Sequence, residues 1–163
     1  MNKQNKNNEF LNVLGKKYDE NFFSNVNKNL KKELDKAGIL VLSNFVSTEA
    51  LRELQKEAEL LKRKAYRTES VYNLYVKPEN KNFGPDTPQN KKFRTTKGII
   101  ADDQIPKNSI LRKIYNADLF RGFMCKTERL AAIFPYSDKL SSINYNYYDP
   151  GDSLEWHFDN ADF

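Results

Sequence analysis

Two side chains near the end of the chain have the types and the spacing to hold a metal ion. His157 and Asp159 stand at i and i+2 in Trp156-His157-Phe158-Asp159. Alternate residues of a strand face the same side, so in an extended segment this imidazole and carboxylate project together and can share one divalent cation. Ser153 and Glu155 continue the same row, while Leu154, Trp156 and Phe158 form the opposite one. Upstream, Asn144, Asn146 and Tyr148 share one face, and Ile143, Tyr145 and Tyr147 the other. A polar row is also the ordinary solvent face of a two-faced sheet, and an isolated His-x-Asp pair arises by chance in many chains. The residue identities tell against that alternative, because the sequence has 1 histidine and it sits two positions before an aspartate on the polar row.

Asp149-Pro150-Gly151-Asp152 separates the two segments. Proline presets φ at the second position of a turn, and glycine accepts the positive φ that a type II turn requires at the third. A symmetric turn brings the two polar rows to the same side of a sheet. Other residues with chemical potential are less specific. Arg94, in Phe93-Arg94-Thr95-Thr96, has the fork to grip a substrate carboxylate, although a surface arginine is the commoner outcome. Glu155 could hold an ammonium group or support a metal ligand, or simply rim the site. Trp156 and Phe158 are expected to pack under helices. Cys125 reads as a small buried residue, since no histidine is available to activate it.

The elements that position these residues follow from periodicity. Residues 1–9 are polar, Lys/Asn-rich and expected to be disordered. A helix is predicted over about 26–37, ending at Gly38 as a left-handed cap. Ile39–Leu42 reads as a buried strand. Ser47 is an N-cap, with Glu49 in the first helical turn. Leu51, Leu54, Ala58, Leu61 and Ala65 give the helix over 48–65 an inward face. Val71–Val76 reads as a strand, 77–92 as a polar loop, and 108–116 and 117–133 as helices, the second carrying Leu119, Phe120, Phe123, Leu130 and Phe134. Helices first and strands gathered at the end indicate an α+β domain.

Composition narrows the class. The 163 residues are 39% hydrophobic and 13% aromatic, with 11 Phe and 9 Tyr, enough for a core and unlike a disordered chain. No apolar run could span a bilayer, the N-terminus lacks the apolar stretch of a signal peptide, and one cysteine precludes an internal disulfide. A soluble cytoplasmic protein is the expectation. The net charge of +5 is uneven. Residues 52–97 hold 12 Lys/Arg against 6 Asp/Glu, a local +6, whereas residues 135–163 hold Lys139 against six acids, a local −5. The basic stretch could meet phosphates or be a solvated face; the acidic stretch suits a cation.

Taken together, Asn146-x-Tyr148-x-Pro150-Gly151-x-x-Leu154-x-x-His157-x-Asp159 resembles a signature of the Fe(II)/2-oxoglutarate-dependent oxygenase superfamily, and in particular the strand–turn–strand of its AlkB-type members. Seven positions agree within fourteen residues, without a gap. The overall layout, from GILVLSNFVSTEALRELQKEAE to WHFDNADF, is also similar to a bacterial group of free-amino-acid hydroxylases and halogenases. The resemblance implies N-terminal helices packed on the start of a double-stranded β-helix (jelly-roll) barrel, with residues 10–163 forming one incomplete domain, helical over about 26–134 and with its first barrel strands over about 141–159. It implies His157 and Asp159 as iron ligands, the site type in which two histidines and a carboxylate leave positions open for co-substrate and O2. It further implies Asn146 and Tyr148 in the 2-oxoglutarate pocket. Asp159 implies hydroxylation, since in the halogenases a small residue stands there.

The family also needs a second histidine and a basic residue downstream, which leads us to expect that these residues are an N-terminal piece that binds iron poorly by itself. Three functions are carried forward. The first is a dioxygenase that uses Fe(II), 2-oxoglutarate and O2 to hydroxylate a small molecule such as a free amino acid. The second is an AlkB-type nucleic-acid or protein demethylase served by the basic stretch. The third is a non-catalytic α+β binding module in which His-x-Asp is coincidental.

Overall fold

The computed structural model describes residues 3–26, 28–138 and 140–157. They divide into two compact units. One draws on 1–60 and 101–144, the other on 61–100 and 145–163. Together they hold helices and a three-stranded antiparallel sheet, so the α+β class expected from the sequence is observed. Among the described residues no helix is long and apolar enough to cross a membrane.

The first unit is helical. Lys3–Leu11 forms α1, so the stretch expected to be disordered up to residue 9 contributes most of a helix. The cause lies at its end, where Phe10 is completely buried. Asn7 adds a second tie by accepting the Leu119 N–H at 3.2 Å, at the start of a helix whose own N-cap, Ala117, offers no side chain. Asp19 caps the short α2, Glu20–Ser24. Helix α3, Lys28–Ala37, ends at Gly38 with φ +67°, as its position after the last helical turn requires. The expected strand over 39–42 does not form. Leu40 and Leu42 pack against the core while Ile39 and Val41 are 65% and 74% exposed, so the alternation is present without a partner strand. Ser47 accepts the Ala50 N–H and starts α4, Thr48–Lys62. Leu51, expected inside, is exposed. Helices α5 (Ile110–Tyr115) and α6 (Asp118–Glu128) complete the unit. Arg129 adopts φ +58° and closes α6, which leaves Leu130 and Phe134 outside it and exposed.

Aromatic rings fill the helical core. Phe10, Phe23, Phe45, Phe120 and Phe123 form a chain of ring contacts, with Phe10–Phe23 at 5.2 Å and Phe23–Phe123 at 5.5 Å between centroids. Tyr18 joins through Phe22 and Phe45 and donates its hydroxyl proton to the Ser43 carbonyl at 2.6 Å. Tilted and edge-on pairs of this kind add about 0.5–1.5 kcal/mol each beyond the area they bury. Gly15 allows a close approach in this unit, since a Cβ there would lie 2.3 Å from the Asn44 carbonyl oxygen.

The second unit is built on β1 (Tyr66–Tyr72), β2 (Phe93–Ile100) and β3 (Tyr145–Tyr147), in the order β1-β2-β3. The stretch expected to be helical over about 26–134 therefore contains two strands. Strand β1 begins five residues before the Val71–Val76 strand read from the sequence, and β2 carries the register of the whole sheet. Facing rows run Tyr66–Ile99–Asn146 and Arg67–Gly98–Tyr147.

Candidate functional site

The turn forms as its residue types require. Gly151 has φ +93°, and the Asp152 N–H donates to the Asp149 carbonyl at 2.9 Å. What the turn does is different from a hairpin. Tyr147 pairs with Gly98 and Ser153 with Thr96, so both flanks of the turn lie along the same strand, β2. Five residues, Tyr148–Asp152, stand opposite one, Lys97. The turn is a wide bulge in an edge strand, which bends the strand without reversing it. Three further bonds fasten its far side: the Thr96 N–H donates to the Ser153 carbonyl at 2.9 Å, the Ser153 N–H to Thr96 Oγ1 at 3.1 Å, and Ser153 Oγ to the Arg94 carbonyl at 3.0 Å.

This pairing corrects the expected arrangement of the polar rows. Asn146 lies opposite Ile99, and Ser153 opposite Thr96. Ile99 and Thr96 are three apart on one strand, so Asn146 and Ser153 begin on opposite faces of the sheet.

An ionic clamp holds the bulge. Arg67, on β1, reaches across β2 at Gly98, where a guanidinium nitrogen lies 3.6 Å from the position a Cβ would take. It pairs with Asp152 and, at 3.4 Å, with Asp149; Lys62 Nζ holds the other Asp149 oxygen at 2.8 Å. The Asp152 side chain keeps 7% of its accessible surface and also accepts the Asp149 N–H at 2.7 Å. The Arg67 guanidinium beside it, aided by that N–H, pulls the Asp152 carboxyl down to about 2. The hydrogen bond to Asp152 in turn raises Arg67 above its ordinary value. The acidic end of the chain is thus neutralised in part by cations from the basic stretch.

The individual candidates sit as follows. Asn146 is in β3, exposed; Tyr148 begins the bulge and is 45% exposed. The Arg94 guanidinium grips Glu69 through Nε at 2.8 Å and Nη2 at 3.1 Å, and its backbone N–H donates to Glu155 Oε2 at 2.6 Å. Arg94 and Glu155 are therefore brought together as partners within the sheet, and the Arg94 guanidinium lowers the Glu69 carboxyl. His157 is exposed, with Nδ1 at 2.8 Å from the Glu155 carbonyl oxygen. A carbonyl only accepts, so this bond puts the proton on Nδ1 and, in the neutral ring, the lone pair on Nε2. Trp156, expected under helices, is 81% exposed. Asp159 and Phe158 lie outside the described residues.

Two adjoining cavities involve His157. One, of about 550 Å³, is lined by Leu154, Glu155, Trp156 and His157. The other, of about 470 Å³, adds Leu74, Asp86, Pro88, Lys91 and Phe93. Neither is lined by Asn146 or Tyr148. Two buried asparagines shape the loop that supplies the second cavity. Asn73 bonds the Tyr75 and Lys77 N–H groups and the Lys77 carbonyl. Asn90 accepts the Asn80 N–H at 2.8 Å and donates to the Asn80 and Phe83 carbonyls. Of the lining residues, Asp86, Pro88 and Lys91 fall in the polar loop predicted over 77–92 and Leu74 in the strand predicted over Val71–Val76.

Among the described residues no three His, Cys, Asp or Glu side chains converge as a metal site. The chain was compared with family models, curated proteins and solved structures, and none of them matches.

Proposed function

We propose that this chain carries the co-substrate strand and two iron ligands of an Fe(II)- and 2-oxoglutarate-dependent dioxygenase that hydroxylates a C–H bond of a small molecule. In this reading His157 and Asp159 bind iron, Asn146 and Tyr148 approach 2-oxoglutarate, and the two units are the opening of a jelly-roll domain. The observation that carries it is the local order of the fourteen-residue motif. Asn146 lies in a strand, Pro150-Gly151 makes the turn, Ser153 returns to β2, and His157 follows with Nδ1 on a backbone carbonyl. A carbonyl on one imidazole nitrogen is the usual support for metal binding by the other.

The described residues by themselves do not fit an iron site. They supply one ligand of the expected set, His157, and the sequence contains no second histidine. No catalytic step is therefore routed through iron. What these residues do is bind and orient: the Arg67 clamp fixes the bulge, and the Ser153–Thr96 bridge fixes the approach to His157. A nucleic-acid substrate has less support, because two of the cations of the basic stretch, Lys62 and Arg67, are engaged with Asp149 and Asp152 beyond it.

The test begins with the coding DNA beyond codon 163, followed by assay of the complete translated protein. We expect succinate release from 2-oxoglutarate that requires Fe(II) and rises with a panel of free amino acids, and its loss to background in His157→Ala and in Asp159→Ala. A complete protein that neither releases succinate nor gains thermal stability from Fe(II) would leave the binding-module reading in its place.

A further inference from the structure

A second cleft lies wholly in the helical unit and is independent of the oxygenase reading. It has a volume of about 520 Å³, within the range of small-molecule sites. Its walls come from α1 and from the segment Lys107–Asn116. Three lysines line it, Lys6, Lys107 and Lys113, and none has a carboxylate partner among the described residues.

The fourth cation of the cleft behaves differently. Arg112 is tied to Asp102 and donates to the Pro106, Asp102 and Ile105 carbonyls at 3.1, 2.5 and 3.0 Å. Its charge is compensated, and its role is to brace the turn that carries Lys107. Asn108 and Asn116 also line the cleft, and their side-chain amides have no hydrogen-bond partner among the described residues. One carboxylate, Glu9, stands among the cations and is likewise unpaired. Lysines scattered over a surface are ordinarily solvated and carry no such meaning. Here three of them line one concavity together with two asparagines and a braced arginine.

We propose that this cleft binds a small phosphate ester that also carries hydroxyl groups. Three ammonium groups and two amides match a dianion with several acceptor oxygens. Glu9 repels a bare phosphate but accepts a bond from a hydroxyl, so it selects an ester of a polyol over the inorganic ion.

The experiment is calorimetric titration of the full chain with ribose 5-phosphate, ribose and inorganic phosphate at constant ionic strength. Ribose 5-phosphate should bind, and ribose should not. The double substitution Lys107→Ala with Lys113→Ala should weaken binding about tenfold or more, the loss of two charge-assisted contacts. Lys77→Ala with Lys81→Ala removes the same net charge from the other unit and should leave binding unchanged. Glu9→Gln should tighten inorganic phosphate and erase the preference for the ester. Circular dichroism checks that each variant is folded, and Lys107→Gln with Lys113→Gln replaces the alanine pair if it is not. Equal weakening by both lysine pairs would overturn the proposal as a net-charge effect, as would unchanged binding in the cleft variant. Binding of a single-stranded oligonucleotide without binding of ribose 5-phosphate would overturn it in favour of a nucleic-acid backbone.

Discussion

Among the described residues the helical unit buries ten apolar side chains, from Phe10 to Phe123, whereas the sheet unit buries two, Leu61 and Ile100. The interior of the sheet unit is otherwise polar: Asn73, Asn90, Thr95 and Thr96 are each under 9% exposed, and all make hydrogen bonds. Ion pairs add Lys62, Arg67 and Arg94 with Asp149, Asp152 and Glu69. The helical unit has ion pairs of its own, Arg112–Asp102, Arg121–Asp118 and Arg129–Asp35, but it is held mainly by burial of area. The other is held by directional and charged contacts, each of modest net worth. The candidate site lies in the second, so the order of that site depends on solution conditions more than the aromatic core does.

Removing one ring should separate the two most. Phe123 is 1% exposed and meets Phe22, Phe23 and Phe120. Phe123→Ala should cost the helical unit about 3–5 kcal/mol, the transfer energy of the ring plus the cavity it leaves. Amide exchange read separately in the two units during denaturation checks this. Loss of protection confined to the helical unit sharpens the distinction, and equal loss in both breaks it by making them one cooperative body.

The matching change in the sheet unit removes hydrogen bonds in place of area. Asn90→Ala deletes three bonds at 4% exposure and leaves the Asn80 N–H and two carbonyls without their partner. The expected cost is about 1–3 kcal/mol, seen as faster exchange in residues 80–92 with α1–α6 unaffected. A cost near zero would mean that water replaces the amide, and the polar interior would count for less than its bond inventory suggests.

How far the sequence revealed all this depends on the range of the interaction involved. Local chemistry was legible: Gly38 and Gly151 take positive φ where a helix ends and a turn needs it, Ser47 caps α4, and Phe120 and Phe123 face the core. Strand β2 was not, because Arg94-Thr95-Thr96-Lys97 has no apolar alternation. It is threonine hydroxyls, bonded to Tyr72 and to the Ser153 N–H, that make its centre buriable. The bulge was beyond reach for a related reason. Whether Pro150-Gly151 reverses a strand or bends it depends on Ser153 finding Thr96, 57 residues away. The helix of residues 3–11 was missed because Phe10 and Asn7 act through long-range contacts, Asn7 with a backbone N–H 112 residues on. For the candidate site, residue types pointed to His157, while the partner of its Nδ1 and the flanking cavities came only with the fold.

The smallest expected effect concerns the clamp and is a matter of acid. The Asp152 carboxyl is held at about 2 in the folded chain against an ordinary 3.8. A carboxylate whose folded value is depressed adds stability that is fully present above its unfolded value and disappears as pH falls through the folded one. The bulge should therefore hold down to about pH 4 and loosen between there and about pH 2, a window set by 3.8 and about 2. Exchange of the Thr96 and Ser153 amides follows it. The helical unit has a lowered carboxyl of its own, Asp138, held by the Ser141 hydroxyl and the Leu140 N–H outside the helices, so the amides of α1–α6 should pass through the window without a step at Asp152's value. Arg67→Ala sharpens the point, because it removes the first cause of the shift and leaves the Asp149 N–H as the second. Nuclear magnetic resonance titration of the Asp152 carboxyl in that variant should move its midpoint up toward 3.8. A midpoint that stays near 2 would transfer the hold on the bulge from the guanidinium of β1 to the backbone of the turn itself. The sheet unit would then be ordered by local turn chemistry more than by charge reaching across Gly98.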